Sequence, residues 1–470
     1  MTLDQDLDTL TSPILSDGTA VSKLIDLDRH EVSMRVLSDP EVYDIELKQL
    51  FARAWQIVAH ESEIPRVNDY VTRYIGEDPV VVVRDRTNKV NVLLNVCTHR
   101  GMKVCRGDAG NDKQFKCPYH GWTFDPTGRF LGSPMAQESM HGAYRAKDEL
   151  GLPRARVETY AGFVFATWDP QAPSLDDWLG DIKWYQDLMF DRTDDGLEVL
   201  GPPQRFVIPT NWKAPGEQHA GDGYHAMTLH RSLTELAAAE RDDGSMYGID
   251  VSANGHGLRC IDQREPNWTI LKDSGDDWKS KAPLEKLKLM PPPGLTPEMV
   301  PQLQRRFNED QLRVLADFPP SVGGLFPNVG TFSFDFPTPE GMSAVICWHA
   351  FVPKGPEKIE FFNWFLVERS APEEVRTLMR RASTLSFGIS GFVETDDADT
   401  WPQMTAASRG VMGRQGTMKY GALIGEKPSF DGYWDGEWPG GGHVYPGFTK
   451  DDNQWQWWLR WRDFMVGRPW

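Results

Sequence analysis

Residues 97–121 read CTHRGMKVCRGDAGNDKQFKCPYHG. At the ends of this stretch sit two short donor sets, Cys97-Thr-His99 and Cys117-Pro-Tyr-His120, each followed by a glycine, Gly101 and Gly121. Each half offers one thiolate and one imidazole, on what should be two loops projecting from strands. Four such donors hold one zinc ion in a tetrahedron. Alternatively they hold a two-iron, two-sulfide cluster, both cysteines on one iron and both histidines on the other. Spacing favours the cluster. Zinc sites usually pair Cys with Cys across about two to four residues and His with His across about three to five. Here the pairing is mixed, Cys-x-His and Cys-x2-His, which suits two loops that each give one ligand to each iron.

Moving outward, Val80 to Val83, Val90 to Val96 and Gly162 to Thr167 are β-branched or aromatic runs separated by turn chemistry such as Asp125-Pro126-Thr127-Gly128. They predict an all-β module over 55–172, ending near Pro170-Gln-Ala-Pro173. Before it, Pro40 to Trp55 carries Val42, Ile45, Leu47, Leu50, Phe51 and Trp55 at roughly helical spacing, which predicts an amphipathic helix. Residues 1–38 are polar and acidic and read as a loosely held arm. After the module, a helical pattern restarts over 176–188. Helices are expected near 212–230, 371–384 and 452–466, and strands over 343–352 and 358–367. Ser370-Ala-Pro-Glu373 reads as a helix start, with Ser at the cap, Pro in the first turn and Glu at the capping-box position. Trp455, Trp458 and Trp461 recur on one helix face as a core or subunit-facing stripe. Cys105, Cys260 and Cys347 should pack as small hydrophobes.

The whole chain has 470 residues, room for two or three domains, with 50 Lys+Arg against 68 Asp+Glu and a net charge of −18. That balance argues against a nucleic-acid partner, which calls for a basic footprint. Apolar runs such as Pro79 to Val83 are too short to span a membrane. The opening MTLDQDLDTL is acidic and lacks the basic and apolar regions of a signal peptide. Five cysteines in so long a chain fit a reducing cytoplasm, where they serve as ligands more often than as disulfides.

A second concentration of donors lies at 211–230, NWKAPGEQHAGDGYHAMTLH. Asp222 and His225, three apart, would lie side by side on a helix. His225 and His230, five apart, would point about 140° from each other on a regular helix. To share a metal they require the helix to end or distort between them, as at a π-bulge. Two neutral imidazoles and one carboxylate, with positions left open, are the ligand set of non-haem iron(II) oxygenases. A distant carboxylate is also available, for 387–399, FGISGFVETDDAD, offers Glu394, Asp396, Asp397 and Asp399 in quick succession.

In this order and separation, the two constellations resemble the large (α) subunit of Rieske non-haem iron aromatic-ring-hydroxylating dioxygenases, the naphthalene and biphenyl dioxygenase group. The resemblance runs from about Leu37 to the C-terminus. It includes Asn211-Trp212-Lys213, Phe326-Pro327-Asn328, Trp348 to Pro372 and Phe387 to Asp397. It implies an α+β fold: an all-β Rieske domain over 55–172, inserted in a larger helix-grip-like catalytic domain with an antiparallel sheet, formed by 1–54 and 173–470. It implies a [2Fe-2S] cluster on Cys97, His99, Cys117 and His120, of the kind without a disulfide, since Met102 and Tyr119 stand where respiratory relatives carry cysteines. It further implies mononuclear Fe(II) on His225, His230 and Asp397, with Asp396 as the alternative if the register differs. Asp222 then takes a bridging role, between the iron-bound histidine and a cluster histidine of an adjacent subunit, here His120.

The expected reaction adds both atoms of O2 to one face of an aromatic ring, giving a cis-dihydrodiol. No Gly-x-Gly-x-x-Gly fingerprint is present, so electrons must come from outside, by family likeness from an NADH-dependent reductase and a ferredoxin. The likeness also implies a closed trimer with small β subunits (α3β3), cytoplasmic and without membrane contact. Gln218, His219, Met227, Phe387 and Phe392 are the candidate pocket residues. His219 replaces the bulky apolar residue frequent in hydrocarbon-oxidising members, and is expected either to line the pocket as a hydrogen-bond donor or to cap a nearby backbone group. Bicyclic or polycyclic hydrocarbons are the expected substrates, with an aromatic carboxylate such as phthalate or benzoate as the alternative. A Rieske monooxygenase or demethylase, and a bare electron carrier or zinc-binding protein, are the competing readings.

Overall fold

The computed structural model describes residues 12–144, 146–231, 248–264, 280–422, 437–447 and 450–470. The chain divides into two compact units. One comprises Leu47–Leu175 with Trp470, and the other the chain up to Glu46 and Asp176–Pro469.

The smaller unit is built on antiparallel sheets. Val90–Leu94, Asp78–Arg84, Asp69–Ile75 and Ala109–Asn111 form one in that order; Arg156–Tyr160, Phe163–Thr167 and Gln56–His60 form another. The valine run lies wholly buried in the first sheet. Strand alternation sends Val81 and Val83 into one apolar cluster and Val80 and Val82 into a second. A run without polar alternation therefore marks a strand covered on both faces. A third, small sheet of Phe115–Lys116, Thr123–Phe124 and Phe130–Gly132 carries the second Cys/His loop.

The larger unit is α+β. Its nine-stranded antiparallel sheet runs Leu197–Val199, Ile359–Glu368, Gly341–Pro353, Val329–Thr338, Pro320–Leu325, His256–Ile261, Gly248–Ala253 and His443–Pro446, with Gln204–Ile208 also pairing Ile359–Glu368. Five helices matter for the site: α1 Pro40–Glu46, α2 Lys213–Gly221, α3 Glu373–Phe387, α4 Glu394–Ala407 and α5 Asp452–Met465. Helix α2 packs on the strands Pro320–Leu325, His256–Ile261 and Val329–Thr338, and against α4 and α5. Its backbone lies so close to the sheet that a Cβ on Gly257 would stand 2.0 Å from the Ala220 carbonyl oxygen, a separation only glycine permits.

Several expectations change. The arm is seated rather than loose from residue 12 on. Leu15, Val21, Leu24, Val32 and Val36 are buried, and Glu31–Ser33 pairs with Thr417–Lys419; residues 1–11 lie outside the described residues. The helix expected over Pro40 to Trp55 is regular only to Glu46, followed by a wider turn at Leu47–Phe51. The 176–188 pattern is two helices, Leu175–Leu179 and Ile182–Phe190, separated at Gly180, whose φ is +52°. The cap at the start of α3 is Pro372, not Ser370. Ala371 precedes a proline, which disfavours helical backbone there. The Trp455, Trp458 and Trp461 stripe is buried inside this unit; the indole N–H of Trp461 donates to Glu46 Oε1 at 2.9 Å and that of Trp458 to Tyr420 Oη at 2.7 Å.

Candidate metal centres

The two Cys/His loops share one backbone design despite their different spacing. Cys97 N–H donates to Met102 O at 2.8 Å and Gly101 N–H to Cys97 O at 2.8 Å. Cys117 N–H donates to Trp122 O at 2.7 Å and Gly121 N–H to Cys117 O at 2.9 Å. Both turns need a left-handed residue, with φ +74° at Gly101 and +71° at Gly121, which is why a glycine closes each. The thiols of Cys97 and Cys117 are buried beside each other, and burial first, then the neighbouring thiol, pushes Cys97 upward. The His99 and His120 rings lie 4.6 Å apart, and His99 stacks on Trp122 at 4.8 Å. His99 Nδ1 is buried with no partner among the described residues.

These donors fit a binuclear cluster better than one ion. A tetrahedral zinc would draw its donors to within about 3.3–3.8 Å of one another. Among the described residues, the group of three or more donors lying within 4.8 Å of one another is a different one, His225, His230 and Asp397. The two thiols lie beside each other and the two imidazoles beside each other, the pairing that suits two irons bridged by sulfides, one held by each pair.

Around the second centre, α2 stops at Gly221. Asp222 has extended backbone (φ −73°, ψ 91°), and a 3-10 turn over His225–Met227 follows. The helix expected over 212–230 thus ends before His225, the first candidate ligand, and no π-bulge is involved. Asp222 and His225 meet across a turn instead: His225 N–H donates to Asp222 Oδ1 at 3.0 Å, and His225 Nδ1 lies 3.4 Å from Asp222 Oδ2. Burial works to raise the Asp222 carboxyl, but bonds and charge from His225, with charge from Arg259, hold it below the ordinary range. Arg259 also donates to the Asp222 carbonyl, fixing the loop.

The four acids of 394–399 divide by position. Asp397 Oδ2 is 3.5 Å from His230 Nε2, and Asp397 Oδ1 is 3.9 Å from His225 Nε2. Asp396 Oδ2 stands outside, 3.2 Å from His230 Nδ1. Glu394 is sealed, and burial, then the charge of Asp397, pushes its carboxyl well up. Asp399 accepts from Gln403 at 2.8 Å on an exposed turn of α4. Each imidazole therefore turns one nitrogen toward Asp397 and the other toward an outer carboxylate, Asp222 or Asp396. That is the arrangement that sets tautomer and ring orientation at histidine-ligated metals. Burial raises and the two histidines with Gln218 lower the Asp397 carboxyl; the net is a readily ionised candidate ligand.

Gln218 Nε2 donates to Asp397 Oδ1 at 2.9 Å, while Gln218 Oε1 accepts from Trp401 Nε1 at 2.7 Å. Since indole N–H only donates, Trp401 fixes which end of the amide faces Asp397. Trp401, Asp396 as the outer partner of His230, and Arg259 were not singled out from sequence. Trp401 stands four residues after Asp397 on α4, a spacing that alone announces a shared helix face.

Of the expected pocket residues, Phe387 is buried among Phe332, Phe336 and Val393, with the Phe332 ring at 4.6 Å. Phe392 is 38% exposed, with its ring 6.0 Å from Phe336. Met227 is half-buried in the His225–Met227 turn. Of the two roles expected for His219, the contact found is the backbone cap: its Nδ1 is 2.8 Å from the Pro215 carbonyl oxygen, which can only accept, so its N–H is spent on the backbone. Burial holds His219 down to about 4. Cys347 does more than pack, since its Sγ lies 3.2 Å from His349 Nε2.

Residues 54–160 match the family model for the Rieske [2Fe-2S] domain, and residues 175–421 that for the ring-hydroxylating α subunit catalytic domain. The α subunit of biphenyl dioxygenase from Metapseudomonas furukawaii is 34% identical over 436 residues, 91% of this chain and 90% of that protein. The α subunit of an N,N-dimethyl phenylurea N-demethylase from Sphingobium sp. (strain YBL2) is 33% identical over 461 residues, 95% of each. Among solved structures, naphthalene 1,2-dioxygenase from Rhodococcus sp. bound to indole superposes with a TM-score of 0.80 at 34% identity, covering 93% of this chain and 94% of that one.

Proposed function

This chain belongs to the family of Rieske ring-hydroxylating oxygenase α subunits, and we propose that it adds both atoms of O2 to an aromatic ring to give a cis-dihydrodiol. The observation that carries this reading is the His225, His230 and Asp397 triad, three donors within 4.8 Å of one another, in a chain that also holds a Rieske domain. Cys97, His99, Cys117 and His120 would hold the [2Fe-2S] cluster, and the triad a mononuclear iron. When bound, the cluster supplies single electrons and the iron the site at which O2 is activated. Asp222 and Asp396 orient the two imidazoles, Gln218 holds Asp397 Oδ1, and Phe332, Phe336 and Phe387 form a dry wall against which an aromatic ring packs.

The Asp222 side chain keeps 27% of its surface exposed, which supports a role as the link to the cluster of a neighbouring subunit. A trimer with small β subunits, a ferredoxin and an NADH-dependent reductase complete the proposed system. No described helix is long and apolar enough to cross a membrane. A carboxylate substrate is disfavoured at His219, whose imidazole burial holds toward the neutral form. Demethylation is the second reading, because the N-demethylase subunit is about as similar as the dioxygenases.

A single turnover of the pre-reduced protein with isotopically heavy O2 decides between them. Two- and three-ring hydrocarbons, aromatic carboxylates and N-methylated aryl ureas are offered, and products are weighed. A cis-diol with two heavy oxygens is expected; formaldehyde release or one heavy oxygen gives the second reading.

A further inference from the structure

We propose that His219 selects aromatic substrates carrying a hydroxyl or N–H group, by accepting a hydrogen bond from that group at Nε2. This rests on the ring-oxygenation reading and narrows its substrate class. The Nδ1 contact with the Pro215 carbonyl, at 2.8 Å, places the ring proton there. In the neutral imidazole the other nitrogen is then a lone-pair acceptor. The surroundings favour neutrality. The ring lies against Phe351 at 4.9 Å, His349 at 5.5 Å and Trp401 at 6.2 Å. No carboxylate within hydrogen-bond distance of it is found among the described residues.

The ring has a built seat. A Cβ on Gly330 would stand 2.3 Å from His219 Cδ2 and 3.0 Å from Nε2, so the bare glycine of the strand Val329–Thr338 makes its space. The Trp401 ring near His219 also holds the Gln218 amide that reaches Asp397, so His219 stands near the candidate iron site. It also joins the aromatic wall, through His349, whose ring is 5.4 Å from Phe387. His219 retains some accessible surface, whereas His349 is sealed at 2%.

A hydrocarbon bound against this wall would desolvate Nε2 and leave it unpaired. A substrate donor would replace the water it loses. Sites built to bond a hydroxyl reject the analogue lacking one for this reason.

The test uses the holoenzyme without oxygen, so that binding is read without turnover. Dissociation constants are measured at pH 7 for 2-naphthol, 2-methoxynaphthalene, naphthalene and 2-naphthoate. The wild type should bind 2-naphthol at least about tenfold more tightly than its methyl ether. His219→Phe should bring that ratio to about one, and His219→Gln, which keeps an acceptor, should retain part of it. A wild-type ratio near one, a ratio that survives in His219→Phe, or tighter binding of 2-naphthoate than of 2-naphthol overturns the proposal. The wild-type ratio answers even where a variant fails to fold. Failure of the ring-oxygenation reading shows separately, as the absence of a dioxygenated product when 2-naphthol is added to the substrates of the heavy-oxygen turnover.

Discussion

Asp396 and Asp397 are chemically alike neighbours, and their separation of roles is a matter of which nitrogen of His230 each meets. Asp397 faces Nε2 at 3.5 Å and Asp396 faces Nδ1 at 3.2 Å. Asp397→Asn should therefore lose mononuclear iron outright. Asp396→Asn should keep it with affinity weakened about 10–100-fold, as measured by iron content after dialysis against a graded chelator. His219 yields a pH prediction. Its folded value of about 4 lies below the ordinary 6.5, so the unfolded chain binds more protons between those values. The native state accordingly loses stability as pH falls from 6.5 towards 4, by roughly 2–3 kcal/mol at the lower end. In denaturant titrations, His219→Phe should lack that part of the acid loss and match the wild-type slope above pH 7.

Helix α2 is held in place by a buried charge pair at its first turn. Glu46, at the end of α1, accepts from Lys213 Nζ at 2.6 Å, Trp212 Nε1 at 2.8 Å and Trp461 Nε1 at 2.9 Å. Both charged side chains are fully buried, and burial outweighs Glu46 in lowering the Lys213 amine. Asn211 Oδ1 accepts from Lys213 N–H at 3.0 Å and Thr405 Oγ1 from Asn211 N–H at 2.9 Å, tying the same turn to α4. This is the physical content of the Asn-Trp-Lys motif: it docks the helix that leads to His225, the first candidate metal ligand. Glu46→Ala strands an ammonium and two indole donors, and should destabilise the chain by about 3–5 kcal/mol in denaturant titrations. Replacing both Glu46 and Lys213 by apolar residues should cost less than the single change.

The two units hold their candidate centres on separate stretches of chain, the cluster donors within 97–120 and the iron donors within 225–397. Cys97→Ala should remove the cluster, with its visible absorption and reduced-state EPR signal, yet leave one chelatable iron. His225→Ala should do the reverse. Loss of both metals from either single variant would mean that the centres depend on each other for assembly.

Much of this was legible because the donors are local and chemically rare. Two Cys/His pairs closed by Gly101 and Gly121, and two histidines five residues apart, admit few packings whatever surrounds them. Valine runs and tryptophan stripes likewise announce burial through composition alone. Other features depended on residues remote in the chain. That Asp397 meets Nε2 of both histidines while Asp396 meets only Nδ1 of His230 depends on how α4 is rotated against α2. The amide of Gln218 is aimed by Trp401, 183 residues away. The end of α2 at Gly221, the seating of the arm against Thr417–Lys419 and the tautomer of His219 likewise come from packing. The sequence by itself thus determined which donors exist and which family they serve, since ligand chemistry resides in side-chain type and short spacing. Only the tertiary structure decided which oxygen, which nitrogen and which proton each presents, because orientation is set by neighbours brought together across the fold.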